Sequence, residues 1–350
     1  MILTPGIPRH LLHSAILAVA LLSFVSCDHD EPVNPVKPPA ERTVLVVTSQ
    51  GEIYDQTGKM VKQLPNCTYA AEIIADGDDY FVSGIQSKNR VGYWKNGKWN
   101  TLHVDFIEDV DHWTYGIGKW DYYIFLLDLP NVLKNSGIFP LENCHDFIPA
   151  DHALRVSDGR CYVIGYAFGD DGADGHYLPV LYTDYKKAFL PMPEGTLTGE
   201  CHALYAYDRI HTVIGGLIGT MPAVWVDGQY QIYDISYPRA AADIKDGFLQ
   251  GRIDAITMAG GHIYAAGFEI DYNGKLVATL WTDGVPTHYV TDASSCDNSQ
   301  VVEIYSYGDD VYMLTSEYYG TTDRQDTHLW LNGEHVKTYP DIEASGFTVL

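Results

Sequence analysis

The 350-residue chain carries 46 acidic against 22 basic side chains, a formal charge of −24. Counterion release on a nucleic-acid backbone or an anionic membrane surface needs clustered Lys and Arg, so nucleic acid is set aside as a partner and neutral or cationic ligands fit better. Beyond residue 26 no stretch approaches the roughly 20 apolar residues of a membrane-spanning helix, and a chain this long can bury a large core without a disulfide framework.

The N-terminus reads first. Arg9 precedes an apolar run from Leu11 to Val25, broken by His13, Ser14 and Ser23 and closed by Ser26-Cys27. Such a run is short for a membrane span and fits a signal peptide. Its end resembles the lipobox of bacterial lipoproteins, with Phe24 in place of the usual Leu. The resemblance implies a signal peptide over residues 1–26 and a lipid-bearing Cys27 as the new N-terminus. The following Asp28-His29-Asp30-Glu31 resembles the surface-export signal of some Gram-negative lipoproteins, which implies an outer-membrane anchor with the chain exposed at the cell surface. Residues 27–42 form the lipidated Cys and a Pro-rich tether; its last eleven residues, in extended form, reach about 35 Å. The folded domain is expected over 43–350.

Within that domain, short runs rich in Tyr, Val, Ile and Trp alternate with Gly, Asp and Asn, the signature of an all-β protein. One element recurs: an aromatic, one residue, then a tight turn, as in YWKNG (93–97), LYTDY (181–185), VWVDG (224–228), LWTDG (280–284) and LWLNG (329–333). Asn-Gly and Asp-Gly supply the positive φ angles of a two-residue hairpin. Upstream lies a strand often ending in Gly: YFVSG, YVIGY, TVIGG, IYAAG and the weaker VYMLT. Each such strand is preceded by another hairpin turn, so four strands make a unit. Units start near residues 70, 110, 150, 200, 252 and 301, a period that β-propeller blades show.

The first stretch, TVLVVTSQGEIYDQTGKMVKQL, supplies strands two to four of a unit, and the last, DIEASGFTVL, a lone first strand. Joined, they make a composite seventh blade, and residues 43–350 spread over seven blades give about 44 residues each. A six-bladed ring is the alternative, and the weakest unit is the second, where 130–144 lacks the aromatic-turn motif. The pattern loosely resembles kelch-type and WD-type propeller repeats, without the full double-Gly or WD signature.

Function is expected on the face carrying the long connections 168–177, 236–251, 291–300 and 318–327, since loops carry binding residues on a rigid scaffold. Aligned at the start of their inner strands, the units place an ionisable residue in one column: Glu72, His112, His152, His202, Asp254 and Glu303, with Glu343 as a seventh member. This column is expected to ring the channel mouth as a ligand site. His112, His152 and His202 on consecutive blades could ligate a divalent metal, because imidazole and carboxylate suit Zn²⁺, Mn²⁺ or Fe²⁺. A structural ring that ties blades or holds water is the other reading. Carboxylates in GDDGADG and EIDYNG sit at Ca²⁺-like spacing without the closing Glu of an EF-hand loop.

Trp113, Tyr177, Tyr318 and Tyr319 are candidates for an aromatic platform on the same face. No GxSxG, HExxH, P-loop or dinucleotide turn is present. The composite reading is a surface-tethered binding protein for a glycan, peptide or protein, with no required cofactor. A metal-dependent polysaccharide lyase or hydrolase is one alternative, and a scaffold in an outer-membrane complex another.

Overall fold

The computed structural model describes residues 42–87, 90–101, 114–135, 137–168, 176–239 and 249–350. Cys27, His112 and Trp113 lie outside these residues, as do most of the 168–177 and 236–251 connections. Every element among the described residues is a strand, and the strands pair into seven antiparallel sheets of four. The molecule is a seven-bladed β-propeller, which removes the six-bladed alternative.

Blades two to seven begin with the inner strands Cys67–Asp76, Thr114–Trp120, Phe147–Ser157, Gly199–Ala206, Gly251–Ala259 and Asn298–Tyr307. Each runs outward through three further strands in chain order. Blade one is composite: Ala344–Val349 supplies its inner strand, pairing with Val44–Thr48 in the register Val44↔Val349 to Val47↔Gly346. Thr43 and Leu350 exchange both backbone hydrogen bonds at its end. Successive inner strands touch one another around the axis, and Ala344–Val349 touches those of blades two and seven. Each inner strand is the end strand of its own sheet, so the edges that face the axis are short and protected by the neighbouring blades.

The recurrent turn acts beyond its own hairpin. In blades two and four to seven its first central residue is Asn96, Asp184, Asp227, Asp283 or Asn332, all with φ near +50°. The side-chain oxygen of each accepts the N–H of the first or second residue of the second strand: Tyr80, Cys161, Thr212, Ile263 and Val311. In the opposite sense each turn N–H donates to the carbonyl of that same residue. Asn135 does the same to Ile124 in blade three and so marks the turn hidden in the weak unit. In blade one Gln56 supplies only the side-chain bond, toward Val44. Only a short polar side chain tolerant of left-handed φ can do both jobs.

The aromatic before the turn packs between blades: Trp94, Tyr182, Trp225 and Trp281 are fully buried. The indole N–H of Trp225 bonds the Pro191 carbonyl and that of Trp281 the Asp234 carbonyl, both in connections between blades. These side chains bring apolar area and tie the preceding connection to the blade.

Candidate functional site

Position in the ring is decided by a bulge. Every inner strand loses register with its neighbour near its start: between Ala344 and Gly346, Ala70 and Glu72, Thr114 and Ile117, Pro149 and Leu154, Cys201 and Ala203, Ile253 and Ala255, and Val301 and Glu303. The residue paired just before the break faces Gly84, Gly165, Gly216 or Gly267 in four blades. A Cβ on any of these glycines would lie 1.9–2.1 Å from a carbonyl oxygen of the bulged strand. The Gly that ends the second strand in the sequence repeat is therefore the partner of a bulge.

The bulged, unpaired residues are Ala71, His202, Asp254, Val302 and, in blade one, Ser345. Glu72 and Glu303 follow the bulge by one residue. A one-residue offset in a strand sends a side chain to the other face, and the ionisable column accordingly divides into two levels. His202, Asp254 and Glu343 line a mouth chamber of about 280 Å³ at the starts of the inner strands. Glu72 and Glu303 line a second chamber of about 360 Å³ further along the axis, together with Arg155, Tyr205 and Tyr305. His152 lines the mouth chamber and reaches the two glutamates between them.

Glu72 is 1% exposed and Glu303 7%. Glu72 Oε2 accepts the Ile117 N–H of the next blade at 2.9 Å, and Glu303 Oε2 accepts the Phe347 N–H of its next blade at 2.9 Å. Both carboxylates thus tie adjacent inner strands. Arg155 Nη1 donates to Glu72 Oε1 at 2.5 Å and to the Leu154 carbonyl. His152, at φ +55°, brings Nδ1 to 3.6 Å from Glu72 Oε1. That buried nitrogen has no hydrogen-bond partner. One ligand atom from each of Glu72, His152 and Glu303 lies within 4.8 Å of the others.

Electrostatics couple the group. Burial works against a charged His152, yet Glu303 and Glu72 raise its pKa to about 9. Burial also works against an ionised Glu72, but Arg155 and His152 more than offset it and hold its pKa below the usual carboxylate value. Glu303 moves the other way, raised by burial that His152 opposes only in part. Two buried carboxylates, a guanidinium and an imidazolium balance one another, as buried charges must.

At the mouth, two pairs repeat at equivalent positions. Glu200 Oε2 meets His202 Nε2 at 2.9 Å, and Arg252 Nε meets Asp254 Oδ1 at 2.6 Å. Burial raises the Asp254 pKa, with Arg252 and His202 opposing. The remaining wall adds Asp151, the amides of Gln300 and Gln325, and the hydroxyls of Ser316 and Ser345. Arg155 and Arg252 escape a search for matching columns, although the i, i+2 spacing of Arg252 and Asp254 on one strand is a legible signal.

The aromatic candidates part company. Tyr319 is buried and its hydroxyl donates to Glu317, whereas Tyr318 is 38% exposed and donates to Asp323. Tyr177 packs on the exposed Phe168 and edge-on to Tyr166, whose ring lies 6.1 Å from that of His202. This run includes Phe168, the first residue of the 168–177 connection, and Tyr166 within the strand before it, neither of which is among the aromatic candidates.

The connections on this face are pinned from beneath by buried carboxylates. Glu269 accepts the Ser236 N–H and meets His288 Nε2 at 2.6 Å; Glu317 accepts the Thr291 N–H and hydroxyl; Asp326 accepts the Asp341 N–H. Asp271 caps its own turn at Asn273 and Lys275. Glu269 and Asp271 of the Ca²⁺-like segment are thus each spent on local hydrogen bonds, and Asp170, Asp171 and Asp174 lie outside the described residues.

No helix among the described residues is long and apolar enough to cross a membrane. No protein-family model and no curated protein matches the sequence. Among solved structures, the chain is similar to the extracellular domain of a proposed one-component system from B. thetaiotaomicron, at 12% identity and a TM-score of 0.47 over 80% of this chain. The match spans 38% of that longer chain. A quinonprotein alcohol dehydrogenase-like protein from Bacteroides thetaiotaomicron is similar at 10% identity and a TM-score of 0.47, covering 87% of this chain and 77% of the other. The SapL1 lectin, solved with alpha methyl fucoside, is similar at 8% identity and a TM-score of 0.41, covering 79% and 97%.

Proposed function

We propose that this chain is a cell-surface binding protein, tethered through a lipidated Cys27, that takes a polar ligand of the glycan class at its mouth chamber. The observation that carries the reading is the chamber wall. It sets carboxylates, two imidazoles, one guanidinium, two amides and three hydroxyls around a concave space, which suits a ligand rich in hydroxyls that both donate and accept. The Phe168, Tyr177 and Tyr166 run supplies apolar faces leading into it, as a sugar ring needs. The acidic surface disfavours anionic polymers and fits neutral glycans.

The test is a glycan array, with a peptide array in parallel, followed by calorimetry on each hit. A glycan that binds wild type and loses at least about tenfold in affinity in both Arg252→Ala and Gln325→Ala supports the reading, since each removes a hydrogen-bonding group from a desolvated wall. Peptide hits alone, or glycan binding indifferent to both changes, overturns it. Anchoring is checked separately: palmitate labelling is expected in wild type and lost in Cys27→Ser.

The hydrolase reading meets an obstacle in Glu72. Both of its oxygens are engaged, one by Ile117 and one by Arg155, so it is a strut between blades before it is a base.

A further inference from the structure

We propose that Glu72, His152 and Glu303 form a binding site for one divalent transition-metal ion, of the Zn²⁺ or Mn²⁺ class, on the propeller axis beneath the mouth chamber. The set differs from the three imidazoles suggested by the sequence column, and it does not depend on what the mouth binds.

Geometry is the first argument. His152 Nδ1 and Glu72 Oε1 stand 3.6 Å apart, beyond hydrogen-bond range. Two ligand atoms on one tetrahedral ion, each bonded at about 2.1 Å, are separated by about 3.4 Å. The spacing therefore suits two atoms that share a third partner better than it suits a direct bond. Glu303 offers its oxygen within the same 4.8 Å limit.

Chemistry is the second. His152 Nδ1 is buried without a partner, an uncommon state for a polar atom that water or an ion relieves. Each carboxylate is oriented through Oε2 by a backbone N–H of the next blade, the kind of outer support that fixes metal ligands, and Glu72 Oε1, which accepts from Arg155 at 2.5 Å, has a second lone pair for an ion. Arg155 offsets one of the two buried negative charges, and the other calls for a further cation. One nitrogen with two carboxylate oxygens suits borderline and moderately hard cations.

The experiment uses the intact protein, stripped with a chelator and titrated separately with Zn²⁺ and Mn²⁺ by calorimetry, with metal content measured after dialysis. One equivalent of at least one ion is expected to bind wild type and the His202→Ala variant alike. In Glu303→Gln, which keeps an acceptor for the Phe347 N–H, affinity should fall at least about tenfold. No retained metal in wild type, equal loss in His202→Ala, or undiminished binding in Glu303→Gln each overturns the site. Should Glu303→Gln fail to fold, wild-type crystals soaked in Mn²⁺ decide: an anomalous peak between the three side chains supports the site, and its absence there refutes it.

Discussion

Asp292, on the connection between blades six and seven, shows how single polar side chains shape the mouth face. Its carboxylate accepts the Ser294 hydroxyl at 2.6 Å, the Ser294 N–H at 3.0 Å and the Ser295 hydroxyl at 2.7 Å. These bonds, the Ser294 hydroxyl foremost, lower its pKa to about 2. A depressed carboxylate stabilises the fold above its unfolded value and loses that contribution as pH falls through about 2. Ser294→Ala should therefore raise the Asp292 pKa toward the ordinary value, read from a carboxyl-resolved NMR titration; a pKa unmoved at about 2 would contradict the assignment. At this scale the sequence is half legible. Which residues are ionisable near the axis can be read from it, but their level cannot. A bulge adds one residue to a strand, and sequence columns do not show on which side of the bulge Glu72 or His202 falls. Arg155, three residues beyond His152, joins Glu72 only through the register that the ring imposes.

Strands and turns were far more readable, because their signals are local. Asn-Gly and Asp-Gly mark hairpins by φ preference alone, and the structure adds that the same side chain caps the neighbouring strand. Asp283→Ala should cost about 1 kcal/mol for the lost bond to Ile263, with a further part from the left-handed φ. Asn135 was missed because its hairpin lacks a preceding aromatic, with Leu133 filling that space. The Gly of the second strand carries the stricter demand. In Gly216→Ala the new methyl would meet the Glu200 carbonyl at 1.9 Å. Backbone rather than a flexible side chain must give way, so a loss of about 3 kcal/mol is expected in a urea melt, against little change for alanine at exposed Glu194. A tolerated Gly216→Ala would mean that the bulge is adjustable.

For the whole molecule, closure rests on the composite blade and on one buried cation. Arg42 donates to Asp310 at 2.7 Å, lies 4.6 Å over the Tyr307 ring and reaches the Tyr312 hydroxyl. It fastens the start of the domain to blade seven from outside the sheet pairing. Arg42→Ala should lower stability by about 2 kcal/mol, seen as an earlier denaturation midpoint with an unchanged slope. An unaltered midpoint would show that strand pairing alone seals the ring. Seven units and their composite end were legible because repetition averages out local ambiguity, whereas the mouth chamber exists only after the blades are arranged in a circle.

The composite blade also sets an order in time. Val44 leaves the ribosome early, yet its partner Val349 follows only after every other strand of the propeller has been made. Individual blades can begin to pair as hairpins, but the axis, the glutamates that bridge it and the mouth chamber have no fixed geometry until that late strand arrives. Contacts so distant in sequence form slowly. A nascent chain therefore remains open for most of its synthesis, and the ring locks only at its end.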